Sequence, residues 1–194
     1  MRVLVVHAHP STESFSAALA GAAVAGLRRG GHEVRLLDLY REGFRPAMSA
    51  EERRAYDTTE AIVSADVADH AAQVRWAEAL VFVYPTWWSG LPAILKGWLD
   101  RVLVPGVAFE LRDERVRPLL RNIRHVVGIT TYGSTRRFVA LTGDGGRRTL
   151  HRALRMLTAR RCRRHWFALH ELDSVGAEAR AAFVRRVETE LAGL

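Results

Sequence analysis

The sequence predicts one α/β domain over residues 1–194, built on a doubly wound, five-stranded parallel β-sheet with helices on both faces. Three observations support this prediction. Short runs rich in valine, isoleucine and leucine recur along the chain, stretches with helical periodicity separate them, and the length leaves no excess for a second core. Strands that alternate with helices pair in parallel through right-handed crossovers, so both faces of the sheet become covered.

The first part of the chain supplies the opening strand and helix units. Residues 3–6 form a continuous apolar run, which is typical of a strand buried on both faces. A helix that is capped by Ser14 and ended by Gly30 follows it, because apolar residues recur there on one face. Residues 33–39 are predicted as the second strand, and Ser49 begins a further helix with the spacing of a capping box.

The remaining elements continue the alternation. Pro85 stops a third buried strand, and Pro92 is tolerated in the first turn of the amphipathic helix after it. The predicted ranges are helices over 67–77, 91–102, 150–157 and 183–191, and strands over 79–84, 125–131 and 163–169. Ligands of such sheets bind beyond the carboxyl ends of the strands, where the strand order reverses. We therefore expect the functional residues directly after the first, third and fourth strands.

The cysteine count and the apolar runs restrict the class of protein. Cys162 is the only cysteine, so neither an internal disulfide nor a thiolate-rich metal site is expected. We expect its thiol to be buried and inert. No run approaches the roughly 20 uninterrupted apolar residues that cross a bilayer, and the first residues lack the pattern of a secretory signal. The expected location is the cytoplasm, with no integral membrane segment.

The formal net charge of +8 comes almost entirely from arginine, because Lys96 is the only lysine. Many of the arginines lie between Arg136 and Arg186. Such a surface attracts anions and favours the recruitment of phosphorylated nucleotides. Nucleic-acid binding is an alternative, but the chain has no helix-turn-helix signature, zinc spacing or aromatic-interleaved basic motif, so no nucleic-acid partner is expected.

The loop after the first strand combines imidazole, hydroxyl groups and a helix start. It contains His9, Ser14, Phe15 and Ser16, and it matches neither the GxGxxG nor the GxxxxGK[ST] nucleotide fingerprint. The partial positive charge of a helix N-terminus nevertheless suits a phosphate or pyrophosphate. A capped helix start with incidental histidines is the alternative. His7 and His9 lack an evident third ligand, so no metal site is predicted.

The loop after the third strand places two adjacent tryptophans at a strand end. It runs from Tyr84 to Pro92, and its candidate site residues are Pro85, Thr86, Trp87, Trp88 and Ser89. Large apolar rings exposed at such a position usually have a partner, and a flat, partly apolar ring such as isoalloxazine suits them. The alternative is that Trp87 and Trp88 fill the core or a subunit interface.

The loop after the fourth strand offers hydroxyl groups, a phenol and a flexible glycine. Its residues are Thr130, Thr131, Tyr132, Gly133 and Ser134, and taken alone it is an ordinary polar turn. Together the three loops supply phosphate donors, aromatic walls and small polar contacts at one edge of the sheet. This combination predicts a site for a flat, phosphorylated ring.

These segments resemble a known family. The run over 85–102, PTWWSGLPAILKGWLDRV, with the loops at His9 to Ser16 and Thr130 to Gly133, is similar to the NAD(P)H:quinone oxidoreductases of the flavodoxin-like fold. That group also holds modulators of drug activity and potassium-efflux ancillary proteins. The likeness extends from Met1 to about Asp144, and the proline-aromatic loop with the PAILKGW helix is its most specific part.

The resemblance implies a strand order of 2-1-3-4-5, a tightly held FAD or FMN, NAD(P)H as electron donor, and ping-pong transfer to a quinone-like acceptor. It also implies a homodimer with active sites at the interface. By this analogy the flavin phosphates and ribityl chain would contact His9, Ser14, Phe15 and Ser16. The isoalloxazine ring would contact Pro85, Thr86, Trp87, Trp88 and Ser89. The pyrimidine side of that ring would contact Thr130, Thr131, Tyr132 and Gly133.

One segment departs from the family pattern. Better-known members carry a tyrosine and a histidine between the Thr-Thr turn and a Gly-Asp pair, whereas this chain has TRRFVALT before Gly143 and Asp144. The residues that handle protons therefore remain open. Tyr132 and Arg136 are our candidate catalytic residues, because a phenol or a fixed cation stabilises negative charge at the flavin N1/O2 edge.

Two further functions are compatible with the same fold. A one-electron carrier of the flavodoxin type is one, although such carriers are acidic as a group and this chain is basic. A regulatory ancillary subunit of a potassium efflux transporter is the other.

Overall fold

The computed structural model of the protein describes residues 1–58, 61–62, 64–112 and 115–194. The strands are β1 (Arg2–His7), β2 (Glu33–Asp38), β3 (Ala79–Pro85), β4 (Phe109–Arg112), β5 (Arg115–Pro118), β6 (His125–Thr131) and β7 (Arg163–Leu169). The helices are α1 (Phe15–Arg29), α2 (Ala50–Ala55), α3 (Ala65–Trp76), α4 (Ala93–Val102), α5 (Arg136–Thr142), α6 (Gly145–Arg148), α7 (Leu154–Leu157) and α8 (Ala177–Ala192), with a π-helical turn (Thr149–Ala153) before α7.

Five of the described strands form a parallel sheet in the order β2-β1-β3-β6-β7. Since β6 and β7 are the fourth and fifth strands of this sheet, the predicted fold class and strand order are confirmed. All seven residues of β3 are buried, as expected of a strand with helices on both of its faces.

The side chains of the central strands alternate between two apolar layers. In β1, Val3 and Val5 pack with α1 and α8, whereas Leu4 and Val6 pack with α3 and α4. The caps predicted from the sequence form as well. Ser14 accepts a hydrogen bond from the amide of Ala17 at the start of α1, and a complete capping box joins Ser49 and Glu52 in α2.

Helix α4, which contains the PAILKGW motif, is held by three side-chain positions. The Trp98 indole donates a hydrogen bond of 3.2 Å to Nδ1 of His70. A Cβ at Gly97 would lie 2.2 Å from the carbonyl oxygen of Pro46, so only glycine fits there. Buried Arg101 donates hydrogen bonds of 2.9 and 2.6 Å to the carboxylate of Glu52. The motif therefore fixes α4 in place behind the loop that follows β3.

Some elements differ from the sequence prediction. The antiparallel hairpin of β4 and β5 carries mostly exposed, charged residues, so it lacks the apolar pattern that marks the buried strands. Helix α5 was not predicted either, because every one of its side chains is at least partly exposed. The helix predicted over 150–157 is interrupted by the π-helical turn.

No helix in the described ranges is both long enough and apolar enough to cross a membrane.

Candidate active site

The loops after β1, β3 and β6 meet at the carboxyl edge of the sheet. The amide of Ala8 donates to the carbonyl of Val83 at 3.0 Å, and the amide of Thr86 donates to the carbonyl of Thr131 at 2.8 Å. The ring centroids of His9 and Trp87 lie 6.0 Å apart. The structure thus brings the three sequence-predicted loops into contact.

The tryptophan pair sits on a tight turn. The backbones of Trp87 and Gly90 exchange hydrogen bonds of 3.2 and 2.9 Å, while Trp88 and Ser89 have φ angles of 49° and 57°. Two successive left-handed residues characterise the narrowest turns, and that conformation costs a residue with a side chain about 1–2 kcal/mol. The Trp88 side chain is fully exposed and that of Trp87 is 41% exposed, so neither ring fills the core.

A cleft of about 780 Å³ opens beside this turn. From the three predicted loops it is lined by Thr86, Trp87, Trp88, Ser89, Tyr132, Gly133 and Ser134. Its remaining lining residues come from the segment that contains α5, namely Phe138, Val139, Thr142, Gly143 and Asp144. The size and the aromatic wall suit a small organic ligand or a planar cofactor ring.

Tyr132 is held in the wall of the cleft by a stacked ring and a hydrogen bond. Its ring stacks on His170 with centroids 4.6 Å apart and planes 7° from parallel. Its hydroxyl donates a hydrogen bond of 2.5 Å to Oδ2 of Asp144, and the other carboxylate oxygen of Asp144 accepts from the amide of Arg147 at 3.0 Å. Burial, followed by the hydrogen bond to Asp144 and the charge of Asp144, raises the pKa of Tyr132.

The segment of Asp144 is packed against the tryptophan turn. The amide of Gly145 donates to the carbonyl of Ser89 at 3.0 Å, and a Cβ at Gly145 would lie 2.7 Å from that oxygen. A Cβ at Gly146 would lie 2.7 Å from the hydroxyl of Tyr84. The two glycines allow this close approach, which places Asp144 at the cleft.

The start of α1 has the features of an anion site. The hydroxyl of Ser16 is buried and has no hydrogen-bond partner among the described residues. The first amides of a helix also lack intrahelical partners, and the helix dipole favours negative charge there. Ser14 accepts the capping bond from Ala17 and keeps its own hydroxyl hydrogen to donate, while Phe15 packs against the apolar layer of α1 and α8.

The other predicted residues lie behind or beside the cleft. Pro85, Thr130 and Thr131 are buried at the strand ends, where the hydroxyl groups of Thr86 and Thr130 are 2.9 Å apart. His9 is half-buried, and its Nδ1 accepts from the amide of Ser11 at 3.0 Å.

Arg136 lies apart from the other predicted residues. It lines a second, smaller pocket of about 490 Å³, together with Arg137 and His170. Burial and then the charge of Arg136 lower the pKa of His170, the residue that stacks on Tyr132. The ring of His170 therefore lies between Arg136 and Tyr132, the residue that lines the cleft.

Strand-end reasoning missed the part of the cleft wall that lies after Ser134, namely Phe138, Val139, Thr142, Gly143 and Asp144. Two sequence signals point to Asp144: it belongs to the Gly143-Asp144 pair at which the family resemblance ends, and it is a capping residue followed by Gly145 and Gly146.

The chain is similar to known proteins over nearly all of its length. Residues 1–191 match the family described by its flavodoxin-like fold. A ribosyldihydronicotinamide dehydrogenase (quinone) of Pongo abelii is 35% identical over 160 residues, covering 75% of this chain and 69% of that protein. A ribosyldihydronicotinamide dehydrogenase-like protein of Penicillium crustosum is 36% identical over 127 residues, covering 58% of this chain and 48% of that protein.

Among solved structures, an NAD(P)H:quinone oxidoreductase from Methanothermobacter marburgensis superposes with a TM-score of 0.81 and 27% identity. The match covers 100% of this chain and 96% of that one. The chain thus spans 48% of the Penicillium crustosum relative and 69% of the Pongo abelii relative. It spans nearly all of this solved structure.

Proposed function

Because the chain belongs to the family with the flavodoxin-like fold that includes NAD(P)H:quinone oxidoreductases, we propose that it is a flavin-dependent oxidoreductase. It passes two electrons from NAD(P)H to quinones or similar acceptors by a ping-pong mechanism. The observation that carries the proposal is the cleft between the tryptophan turn and Tyr132, at the edge of the sheet where α1 also begins.

The residues present fit a flavin. The buried hydroxyl of Ser16, unpartnered in the described part of the chain, and the open amides at the start of α1 suit a phosphate group. Thr86, Trp87, Trp88 and Gly133 would contact the ring, and the indole groups would supply its apolar wall. A bound flavin supplies the hydride acceptor and donor of the reaction.

The protein's own task is to orient the reactants and exclude water. The tight backbone turn holds Trp87 and Trp88 at the mouth of the cleft, so that flat rings are aligned as they enter. The hydroxyl of Tyr132 is held at a fixed position in the wall. Arg136 acts at longer range, through the positive potential that it adds beside the stacked rings of His170 and Tyr132.

The exposed apolar rim of the cleft supports a homodimer with active sites at the interface. Trp88 is fully exposed and Phe138 about half exposed in the cleft wall, and Leu141, on the same helix as Phe138, is also exposed. Apolar side chains clustered in this way usually have a partner, and a second copy of the chain is the partner that we propose.

The test is anaerobic mixing of the flavin-loaded protein with NADH or NADPH, followed by a quinone. We expect bleaching of the flavin absorbance by the donor and its recovery with the acceptor, and parallel lines in steady-state double-reciprocal plots. A loaded protein that oxidises neither donor would contradict an enzymatic role. Flavin reduction that halts after one electron would favour the electron carrier instead.

A further inference from the structure

Tyr132 and Asp144 join a buried hydroxyl group to a carboxylate within reach of water. The Tyr132 side chain is 3% exposed, so bulk water has little access to its oxygen. Its hydroxyl donates to Oδ2 of Asp144 at 2.5 Å, and Asp144 is half-exposed in the same cleft. Asp144 accepts the hydrogen bond of this hydroxyl and borders the open cleft, so it offers a route by which a proton that leaves Tyr132 is replaced.

The proposed reaction consumes one proton. NAD(P)H, a quinone and a proton yield NAD(P)⁺ and the hydroquinone, and the hydride carries both electrons. The second hydrogen of the hydroquinone must therefore reach its oxygen as a proton from elsewhere. A proton source in the wall of the cleft meets that need.

We propose, on the basis of the function proposed above, that Asp144 is the positioning residue that supplies this proton through Tyr132. Asp144 takes up from the solvent the one proton that the overall reaction consumes. Tyr132 gives its hydroxyl proton to the oxygen of the reduced acceptor, and the proton on Asp144 restores the Tyr132 hydroxyl. One O–H bond forms on the product, the pair returns to its starting state, and no electrons pass through it.

The surroundings of Asp144 fit this role. Its Oδ1 is held by the amide of Arg147, and the side chain of Arg148 approaches Gly143. His151, His170 and Tyr84 are the titratable groups that sense the charge of Asp144. The raised pKa of Tyr132 keeps its hydroxyl protonated at neutral pH until the acceptor arrives.

Asp144→Asn and Tyr132→Phe, separately and combined, test the proposal. Asparagine still caps α6 and still accepts a hydrogen bond, but it carries no proton. We expect reoxidation to lose at least about tenfold more rate than reduction by NAD(P)H in each variant, because hydride transfer needs no protein proton. Reoxidation by the quinone should slow about 100-fold in both single variants, with no further loss in the double variant. Asp173→Asn, an exposed carboxylate beside Gly133, is the matched control.

A measurement on the flavin-free protein is independent of turnover. A proton NMR spectrum should contain one slowly exchanging hydroxyl signal at low field that is absent from Tyr132→Phe, shifted in Asp144→Asn and unchanged in Asp173→Asn. Normal quinone reoxidation in Asp144→Asn, additive losses in the double variant, or survival of the signal in Tyr132→Phe would overturn the proposal. A wild-type protein that binds no flavin would instead refute the function on which it rests.

Discussion

Trp88 is held out of the protein by a backbone conformation that favours glycine. Trp88 has a φ angle of 49° and Ser89 a φ angle of 57°, and the Trp88 side chain does not pack in the core. An unfavourable conformation combined with an exposed ring is expected where the ring serves a ligand or a partner. The strain at this residue is therefore an argument for function.

Replacement of Trp88 by glycine should separate these two effects. We expect the unfolding free energy of the flavin-free protein to stay equal or rise by about 1 kcal/mol, because glycine accepts a positive φ. Flavin affinity should fall about tenfold with the loss of the stacking surface. Denaturant unfolding and a fluorescence titration measure the two quantities. Trp76→Ala, where the ring packs under Arg35, is the control and should leave flavin affinity unchanged.

The buried hydroxyl of Ser16 is a second group that we expect to serve the ligand and not the fold. Its buried hydroxyl lacks a partner within the described ranges, so Ser16→Ala should not lower the stability of the flavin-free protein. Flavin affinity should fall by roughly tenfold, the value of one hydrogen bond to a charged group. Ser14→Ala should behave differently, because it removes a helix cap and costs about 1 kcal/mol. A clear loss of stability in Ser16→Ala would mean that the hydroxyl serves the fold.

At the scale of elements, α4 depends on a buried ion pair. The side chains of Arg101 and Glu52 are 6% and 8% exposed. Because removal of one partner leaves the other charge buried, Arg101→Leu should lower the unfolding free energy by about 3 kcal/mol. Lys96→Ala breaks the exposed pair with Asp100 on the same helix and should cost under about 0.5 kcal/mol. Equal losses in the two variants would contradict the importance of the buried pair.

The same elements show what sequence patterns reveal. The sheet strands and the caps at Ser14 and Ser49 were predictable because burial on both faces and capping chemistry leave local signals. Helix α5 leaves no such signal, since its apolar residues face the cleft and solvent. That omission has a consequence for the site, because α5 turns the chain back and places Asp144 beside Tyr132.

The strand-end rule predicted which loops meet at the cleft better than it predicted every residue that lines it. Loops that leave neighbouring parallel strands must converge, so Trp87 and Tyr132 were predictable as parts of one cleft. The direction of Arg136 depends on how α5 begins, and its side chain enters the neighbouring pocket. Side-chain direction in an unpredicted helix lies beyond a pattern based on strand ends.

For the whole molecule, histidine burial makes stability depend on pH. The pKa is lowered, with burial as the main cause, in His7, His32, His125, His151, His165 and His170. The unfolded chain therefore binds more protons than the folded protein between these lowered values and the ordinary value of about 6.5. The stabilisation is present above about pH 6.5 and is lost as the pH falls through that window.

We expect the melting temperature to fall as the pH is lowered from about 7.5 to about 5.5. The stacked pair of His125 and His165, with ring centroids 5.6 Å apart, lies at the edge of the sheet opposite the cleft. Replacement of both by glutamine should flatten the dependence without changing flavin affinity. His9→Gln, a histidine replacement at the candidate flavin site, is the variant with which the double replacement is compared. A melting temperature that rises on acidification would contradict the assigned direction.

The central claim is that the cleft and the start of α1 together hold one flavin, and its most direct test is the binding of FMN and FAD to the flavin-free protein. Visible absorbance and quenching of flavin fluorescence report the binding. We predict that the wild type binds one flavin per chain, and that Trp88→Gly and Ser16→Ala each weaken the binding while the protein stays folded. A folded wild-type protein that is colourless and takes up neither flavin would contradict the claim.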